Sequence, residues 1–263
     1  MNRSIQWNIS LRFMRVWHRN FIVYKKIWKI NFLPPILEPL FYILAFGIGL
    51  GALVGHINYQ GREISYVAFI APALLSINMM YNAFFENTYA SFVRMYYQKT
   101  FDAIMATPLS VSEVIVGEIV WGATKSLIAT AIMLAVVSLF GLVQYPYGLL
   151  VLPLSFLAGM AFGAVGMLFT GITPSIDMFN LPIFLFITPM FLFSGTFFPL
   201  NDLPVWAQKI ALAFPLTHLV TLTRGLCLGV VGVNLLFGLL YLILFSLIFI
   251  PIALRAMHRR LVR

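Results

Sequence analysis

Residues 233–254 read VNLLFGLLYLILFSLIFIPIAL and are followed at once by Arg255, Arg259, Arg260 and Arg263. No Asp, Glu, Lys or Arg interrupts the run, and about 20 such residues cross the hydrocarbon core of a bilayer as a helix. A helix closes its own backbone hydrogen bonds, which lipid demands of any segment that crosses it. Working back toward the N-terminus, five more stretches pass the same length test, at roughly 178–198, 147–172, 118–142, 64–90 and 32–54. The chain is 61% hydrophobic and only 10% charged, against roughly half and a quarter for soluble domains, so lipid must be part of its solvent. Strand-like alternation is absent, which argues against a β-barrel. The expected fold is an all-α polytopic membrane protein with six transmembrane helices.

Charge orients these spans. The formal net charge is +9, and its cations crowd the two ends: Arg3, Arg12, Arg15, Arg19, Lys25, Lys26 and Lys29 at one, the four arginines after residue 254 at the other. No acidic residue precedes Glu38 or follows Asp202. Such flanks follow the positive-inside rule and suit anionic lipid headgroups. Without any recognition motif, nucleic acid is not expected as a partner. The 91–117 connection, with Arg94 and Lys99, joins the termini on one side. The connection holding His56 and Arg62, the Gln144–Pro146 turn and the long 199–232 segment fall on the other. Both termini are then cytoplasmic, with Lys209 and Arg224 as exceptions on the outer side. The N-terminus interleaves cations with apolar residues and does not read as a cleavable signal. Cys227 is the only cysteine, so neither an intrachain disulfide nor a cysteine metal cluster is expected.

Two segments are not spans. At helical spacing over 4–29, Phe13, Met14, Trp17, Phe21, Tyr24 and Trp28 share one face, opposite Arg15, His18, Arg19, Lys25, Lys26 and Lys29. That is an amphipathic interfacial helix, and periodicity alone favours a lipid anchor over a lever beside a partner. In 199–232, Pro199, Pro204 and Pro215 leave pieces too short to cross. A helix from about Leu203 to Ala213, capped by Asp202, would present Trp206, Ile210 and Phe214, and the segment reads as a re-entrant hairpin on the outer face.

No enzyme constellation is present: no phosphate loop, no Gly-Lys pair, no H-E-x-x-H and no G-x-S-x-G. Gly47, Gly49 and Gly51 lie inside a lipid-length helix and read as packing, as do the spaced pairs Gly51–Gly55 and Gly159–Gly163. Asn78, Asn82 and Glu86 form a polar stripe on the second span, while Glu118 and Lys125 share a face of the third. Buried ionisable groups face a bundle interior, a cavity or each other. Two readings stand: Glu86 pairs with Lys125 to fasten two helices, or the stripe lines a conduit for a polar headgroup. Glu38, Glu86 and Glu118 all fall toward the cytoplasmic ends of their spans, which disfavours a proton-coupled carrier with mid-membrane acids. In 94–117, Phe101, Ile104 and Met105 have no reason to face water unless a partner covers them.

These pieces resemble the permease subunits of type-two ATP-binding-cassette exporters over essentially the whole chain. The most specific part is Phe193-Ser-Gly-Thr-Phe-Phe-Pro-Leu-Asn-Asp-Leu-Pro204, continuing to Phe214-Pro-Leu-Thr-His218 and Arg224-Gly225. Lys99-Thr-Phe-Asp-Ala-Ile-Met-Ala-Thr-Pro-Leu-Ser-Val-Ser-Glu113 resembles the coupling helix and its continuation. Trp17-x-Arg-Asn20 and Gly117-Glu-Ile-Val-Trp-Gly-Ala-Thr-Lys125 look most like the nodulation lipo-oligosaccharide (NodJ-like) permease group.

The resemblance implies an interfacial helix in 1–30 and a six-span domain in 31–263, with a coupling segment at 95–110 and an external re-entrant hairpin at 199–228. It implies a homodimer in the bacterial inner membrane with two copies of a separate ATPase, which would hold ATP and Mg2+; this chain holds no cofactor. Lys99, Thr100, Phe101, Asp102, Ile104, Met105, Thr107 and Pro108 would transmit the ATPase motion. Arg15 and Arg19 would sit against the same partner, which reverses the preference for a simple anchor. The substrate would be an amphiphile such as a lipid-linked or acylated oligosaccharide. Asn78, Asn82 and Glu86 would line its path, with Phe184, Phe186, Phe191 and Phe193 as a hydrophobic gate. The rivals are a self-contained secondary transporter, a drug or lipid efflux permease, and a membrane-embedded transferase. The last would need clustered catalytic groups, whereas His18, His56, His218 and His258 are scattered.

Overall fold

The computed structural model describes residues 9–262. Helix α1, Phe13–Lys26, ends where Ile27 leaves the helical region, and α2, Trp28–Ile43, starts the first span. The single helix expected over 4–29 is therefore shorter, and its residues 4–8 lie outside the described residues. α2 continues through a wide π-helical turn at Leu44–Leu50 to Val54.

Next comes a two-stranded hairpin, β1 His56–Tyr59 against β2 Arg62–Ser65, a small departure from the all-helical expectation. Gln60 and Gly61 hold φ of 51° and 77°, the positive pair that a two-residue turn needs to match strand twist. Too few residues alternate here for the strand period to stand out in the sequence.

The second span is α3, Tyr66–Phe85, capped by the Ser65 hydroxyl, which accepts from the Ala68 amide at 3.4 Å. It runs on through π-helical turns Glu86–Ala90 and Val93–Tyr97, so the span reaches Tyr97 rather than residue 90. The short α4, Thr100–Met105, follows. The third span, α5, Val111–Leu139, opens on a capping box of Ser110 and Glu113. The expected 91–117 loop thus shrinks to 98–110, because Arg94 is neutralised inside the bundle and does not end the helix. The remaining spans are α6, Val151–Ile172; α7, Ile176–Phe193; and, last, α10, Val233–Leu261. Between α7 and α10, α8 (Val205–Leu212) and α9 (Pro215–Cys227) meet at 89°. At about 12 Å, α8 is far too short to cross. Asp202 does not cap it; the helix starts after Pro204, and the Gln208 amide donates to the Leu203 carbonyl instead.

α6 is the hub, packed on α3, α5 and α10. A Cβ at Gly159 would lie 2.5 Å from the Ala123 Cα, so that glycine is what lets α6 meet α5. Gly51–Gly55 is not such a seam, since Gly55 instead takes φ +66° at the turn into β1. The apolar interior divides in two. One cluster lies toward the hairpin and α9; the other joins Val16, Phe92, Phe101, Ile115, Phe179 and Met257 on the side of α1 and α4. The first cluster marks the far side of the molecule and the second its basic side. Spans one, six and five are 11%, 17% and 22% buried over their most apolar windows, against 78% for span two, so each of the three leaves a broad apolar face uncovered by the rest of the chain.

Candidate functional site

On the basic side, α1, α3 and α5 meet around four charged residues. Arg94 Nη1 lies 2.8 Å from Glu86 Oε1, and Arg94 Nη2 lies 2.5 Å from Glu118 Oε2. Lys125 Nζ lies 2.8 Å from the other Glu86 oxygen. The Trp121 indole donates to Glu86 at 3.0 Å and the Ser91 hydroxyl to Glu118 at 2.7 Å. From α1, Asn20 Nδ2 donates to Glu118 at 2.8 Å. Two carboxylates thus meet two cations, with neutral donors filling the remaining lone pairs, the condition for burying charge at such depth. The widened turns after Phe85 carry Glu86 and Arg94 to the same side of the span.

The Glu86–Lys125 contact considered from the sequence is present, but as one arm of this larger set, whose centre is Arg94. Glu118 does not use Lys125 at all. In the sequence Arg94 reads as a loop charge, because nothing local reveals that carboxylates on its own span and on α5 await it. Asn20 was visible only as part of a motif.

The docking of α1 changes the meaning of its faces. Its buried stripe is Val16, Asn20 and Tyr24, not the whole aromatic arc. Gly117 leaves room for Val16, Trp17 Nε1 donates to Thr124 Oγ1 at 2.9 Å, and Tyr24 and Phe21 pack edge-on against Trp121. Met14 and Trp28 stay exposed. Partial burial pulls the Arg19 guanidinium below its ordinary range, and Glu118 pulls it back up. α1 is therefore a strut fixed to the third span rather than a free lipid anchor.

The expected polar stripe splits. Asn78 Nδ2 donates to Glu38 Oε2 on α2 at 3.0 Å, and Asn82 Nδ2 donates back to Asn78. Tyr42 and Tyr81 lie beside the same carboxylate. Glu86 takes no part in this group. Because the first span begins at Trp28, Glu38 sits well inside it, about 15 Å from that end.

The segment 98–110 folds into a tight projection. Lys99 takes a left-handed φ of 52° and starts α4. Phe101 is 0% exposed, so it is the projection's anchor in the basic-side core and not part of its outer surface, contrary to expectation. Ile104 and Met105 are half-buried against the same core. Asp102, Ala103, Ala106, Thr107 and Pro108 are exposed. Arg12 Nη1 donates to the Pro108 carbonyl at 3.0 Å, Arg19 Nη2 reaches Thr100 Oγ1 at 3.5 Å, and Thr107 donates to the Ile104 carbonyl at 2.6 Å. Arg15, Arg19, Thr100, Ile104 and Thr107 line a cleft of about 420 Å³ between α1 and α4. The projection is linked to α1 by the Arg12 and Arg19 contacts, and α1 to the ion network by Asn20.

The four phenylalanines of span five do not converge within one chain. Phe184 is 69% exposed, Phe186 turns inward against Phe169, Phe191 packs on Phe197, and Phe193 on Trp206. On the far side, where the sequence places it as an exception to the charge rule, Arg224 is buried: it is 4% exposed and donates to the carbonyls of Phe69 and Gly195, both at 3.0 Å. Its guanidinium carbon lies 3.7 Å from the Phe69 ring centre. The signal for it was its place on the apolar, inward face of α9. Among the described residues no group of His, Cys, Asp or Glu is placed to hold a metal ion.

Residues 12–228 match the family described as ABC-2 type transporter. Nodulation protein J of Rhizobium leguminosarum bv. trifolii is 37% identical over 220 residues, 84% of this chain and 82% of that one. Nodulation protein J of Rhizobium leguminosarum bv. viciae is 34% identical over 254 residues, 97% of this chain and 96% of that one. The inner membrane transport permease YadH of Escherichia coli is 25% identical over 219 residues, 83% and 82% of the two chains.

Proposed function

The chain belongs to the ABC-2 type transporter family, and from that premise we propose that this permease is the membrane half of an ATP-driven exporter. It works as a homodimer with two copies of a separate ATPase, which binds ATP and Mg2+. Its termini and α4 face the cytoplasm of a bacterial cell, and it moves an amphiphile, such as a lipid-linked or acylated oligosaccharide, outward across the inner membrane. The observation that carries this reading is the projection at 98–110. A short exposed helix is anchored by Phe101, tied by Arg12 and Arg19 to α1, and through Asn20 connected to the ion network of spans two and three. On this reading a push on its outer surface passes through these contacts to spans two and three.

The apolar faces of spans one and five suit a second copy, and Phe184 lies on such a face. Between the copies, the half-buried Glu38 and Asn82 offer hydrogen bonds to a polar headgroup, with Asn78 buried behind them. The placement of Glu38 also favours a second reading, a self-contained carrier driven by protons.

One experiment separates the two. The chain is expressed with its candidate ATPase, purified in mild detergent, and compared with the Asp102→Arg variant. Stoichiometric ATPase that is lost in the variant is the expected result. Recovery of the chain alone, active in liposomes without ATP, would overturn the exporter reading in favour of the carrier.

A further inference from the structure

Spans one to three carry four acids, Glu38, Glu86, Glu113 and Glu118. Three are answered inside the chain: Arg94 holds Glu86 and Glu118, Lys125 shares Glu86, and Glu113 closes the capping box of α5. Glu38 meets no cation within 4 Å among the described residues. A second copy has none to bring from its own spans. No Lys or Arg occurs at 30–61, 63–93, 126–208 or 225–254, and Arg94 and Lys125 are already committed.

The neutral groups around Glu38 are satisfied in one direction only. Asn78 Nδ2 donates to Glu38 Oε2 at 3.0 Å. Asn82 gives its amide hydrogens to the Asn78 carbonyl at 3.0 Å and to Asn78 Oδ1 at 3.1 Å. A backbone carbonyl can only accept, so it is the nitrogen of Asn82 that points there and the oxygen that remains. What the half-buried Glu38 and Asn82 still present is acceptors: the carboxylate, which has lone pairs for several donors, and Asn82 Oδ1. Beside them the half-buried Tyr81 stacks on Phe85, ring centres 5.4 Å apart.

We propose that Glu38 is a specificity-determining residue of the transport path. With Asn82 it accepts hydrogen bonds from the hydroxyls of an uncharged headgroup, and it refuses a headgroup that carries phosphate or sulfate. This rests on the reading of the face between the copies as the path, and it narrows the cargo to a sugar joined to its lipid without phosphate. A phosphate brings a like charge and no donors, so it would leave both acceptors unmet. Two like charges about 8 Å apart at an effective dielectric of about 20 disfavour binding by on the order of thirtyfold.

The test places the full chain in phosphatidylcholine nanodiscs with a photoreactive dodecyl glucoside. Unlabelled dodecyl glucoside, or the same molecule phosphorylated on its sugar, competes at equal mole fraction in the bilayer, and mass spectrometry locates the label. Labelling is expected on spans one and two, with the neutral glucoside the better competitor by about thirtyfold. Glu38→Gln keeps an acceptor for Asn78 and is expected to bring the two competitors within about threefold of each other. Should that variant not fold, Asn82→Leu removes a neutral acceptor instead. It is expected to weaken both competitors by about fivefold and to keep their ratio. Equal competition in the wild type overturns the proposal. So does a preference that survives in Glu38→Gln, or a label that falls away from spans one and two. No ATPase is present in this assay, so a failure here leaves the exporter reading standing, and a failed co-purification leaves this result standing.

Discussion

Two arginines at opposite ends of this molecule are drawn into its interior, Arg224 fully and Arg94 all but 13% of its side chain, and their surroundings differ in kind. Arg94 on the basic side meets full negative charges, Glu86 and Glu118, on its own span and on α5. Arg224 on the far side meets no carboxylate within 4 Å among the described residues. It is held by backbone carbonyls of Phe69, Gly195 and Thr196 and by the face of Phe69, with the Tyr59 ring near. Formal countercharge and oriented dipoles both compensate a buried cation. They fail differently, however, when the cation is removed. A carboxylate left behind is a stranded charge, whereas a carbonyl left behind is only an unmet acceptor. The basic side is thus one electrostatic unit whose members depend on each other, and α1 belongs to it through Asn20. The far side is a backbone clasp, holding the hairpin, the start of span two and the exit of span five to α9.

The largest expected effect is at Arg94. Arg94→Gln leaves Glu118 without its ion-pair partner, with only the more distant Arg19 near it, and is expected to cost about 3–5 kcal/mol, read as the fall in unfolding temperature and in folded yield in detergent. Adding Glu118→Gln restores the charge balance and is expected to recover more than half of the loss. A double variant no better than the single one would mean that Arg94 matters through packing.

Arg224→Met comes next, at about 1–3 kcal/mol. It removes the donors from the carbonyls but also removes the cost of burying a cation, so no charge is stranded. The same unfolding assay checks it. A loss as large as that of Arg94→Gln would break the comparison and mean that the carbonyls are held apart at a cost that only a charge repays.

These two sites also mark the limit of what the sequence discloses. The six spans are legible because a helix in lipid must satisfy its backbone within one segment, so 233–254 announces itself without knowledge of any other part. The re-entrant piece is legible for the same reason, from Pro204, Pro215 and the short run between them. Arg94 is not. A cation near the end of an apolar run ordinarily ends the span, and here it does not because Glu118, on another helix, cancels it. Phe101 fails likewise: an apolar residue in a polar connection reads as a contact for a partner, until folding places it beneath its own helix. Asn78, Asn82 and Glu86 keep helical spacing, the Glu86 amide still donating to the Asn82 carbonyl, and what separates them is their partners: Glu38 on α2 for the asparagines, Arg94 and Lys125 for Glu86. Each miss depends on a neighbour remote in sequence.

The smallest effect sharpens the comparison most. Lys125 bonds Glu86 at the same 2.8 Å as Arg94 does, yet its side chain is 27% exposed and it touches only one carboxylate. If bridging two acids is what makes Arg94 central, Lys125→Met removes one arm and leaves Glu86 held by Arg94 and the Trp121 indole. Water can replace the ammonium at the open end, so the expected cost is about 1 kcal/mol, a shift of a few degrees in the unfolding temperature. A cost approaching that of Arg94→Gln would show that the number of cations, not the bridge, holds this end together. The pairing of Glu86 with Lys125 would then be the fastening between spans two and three, and Arg94 its support.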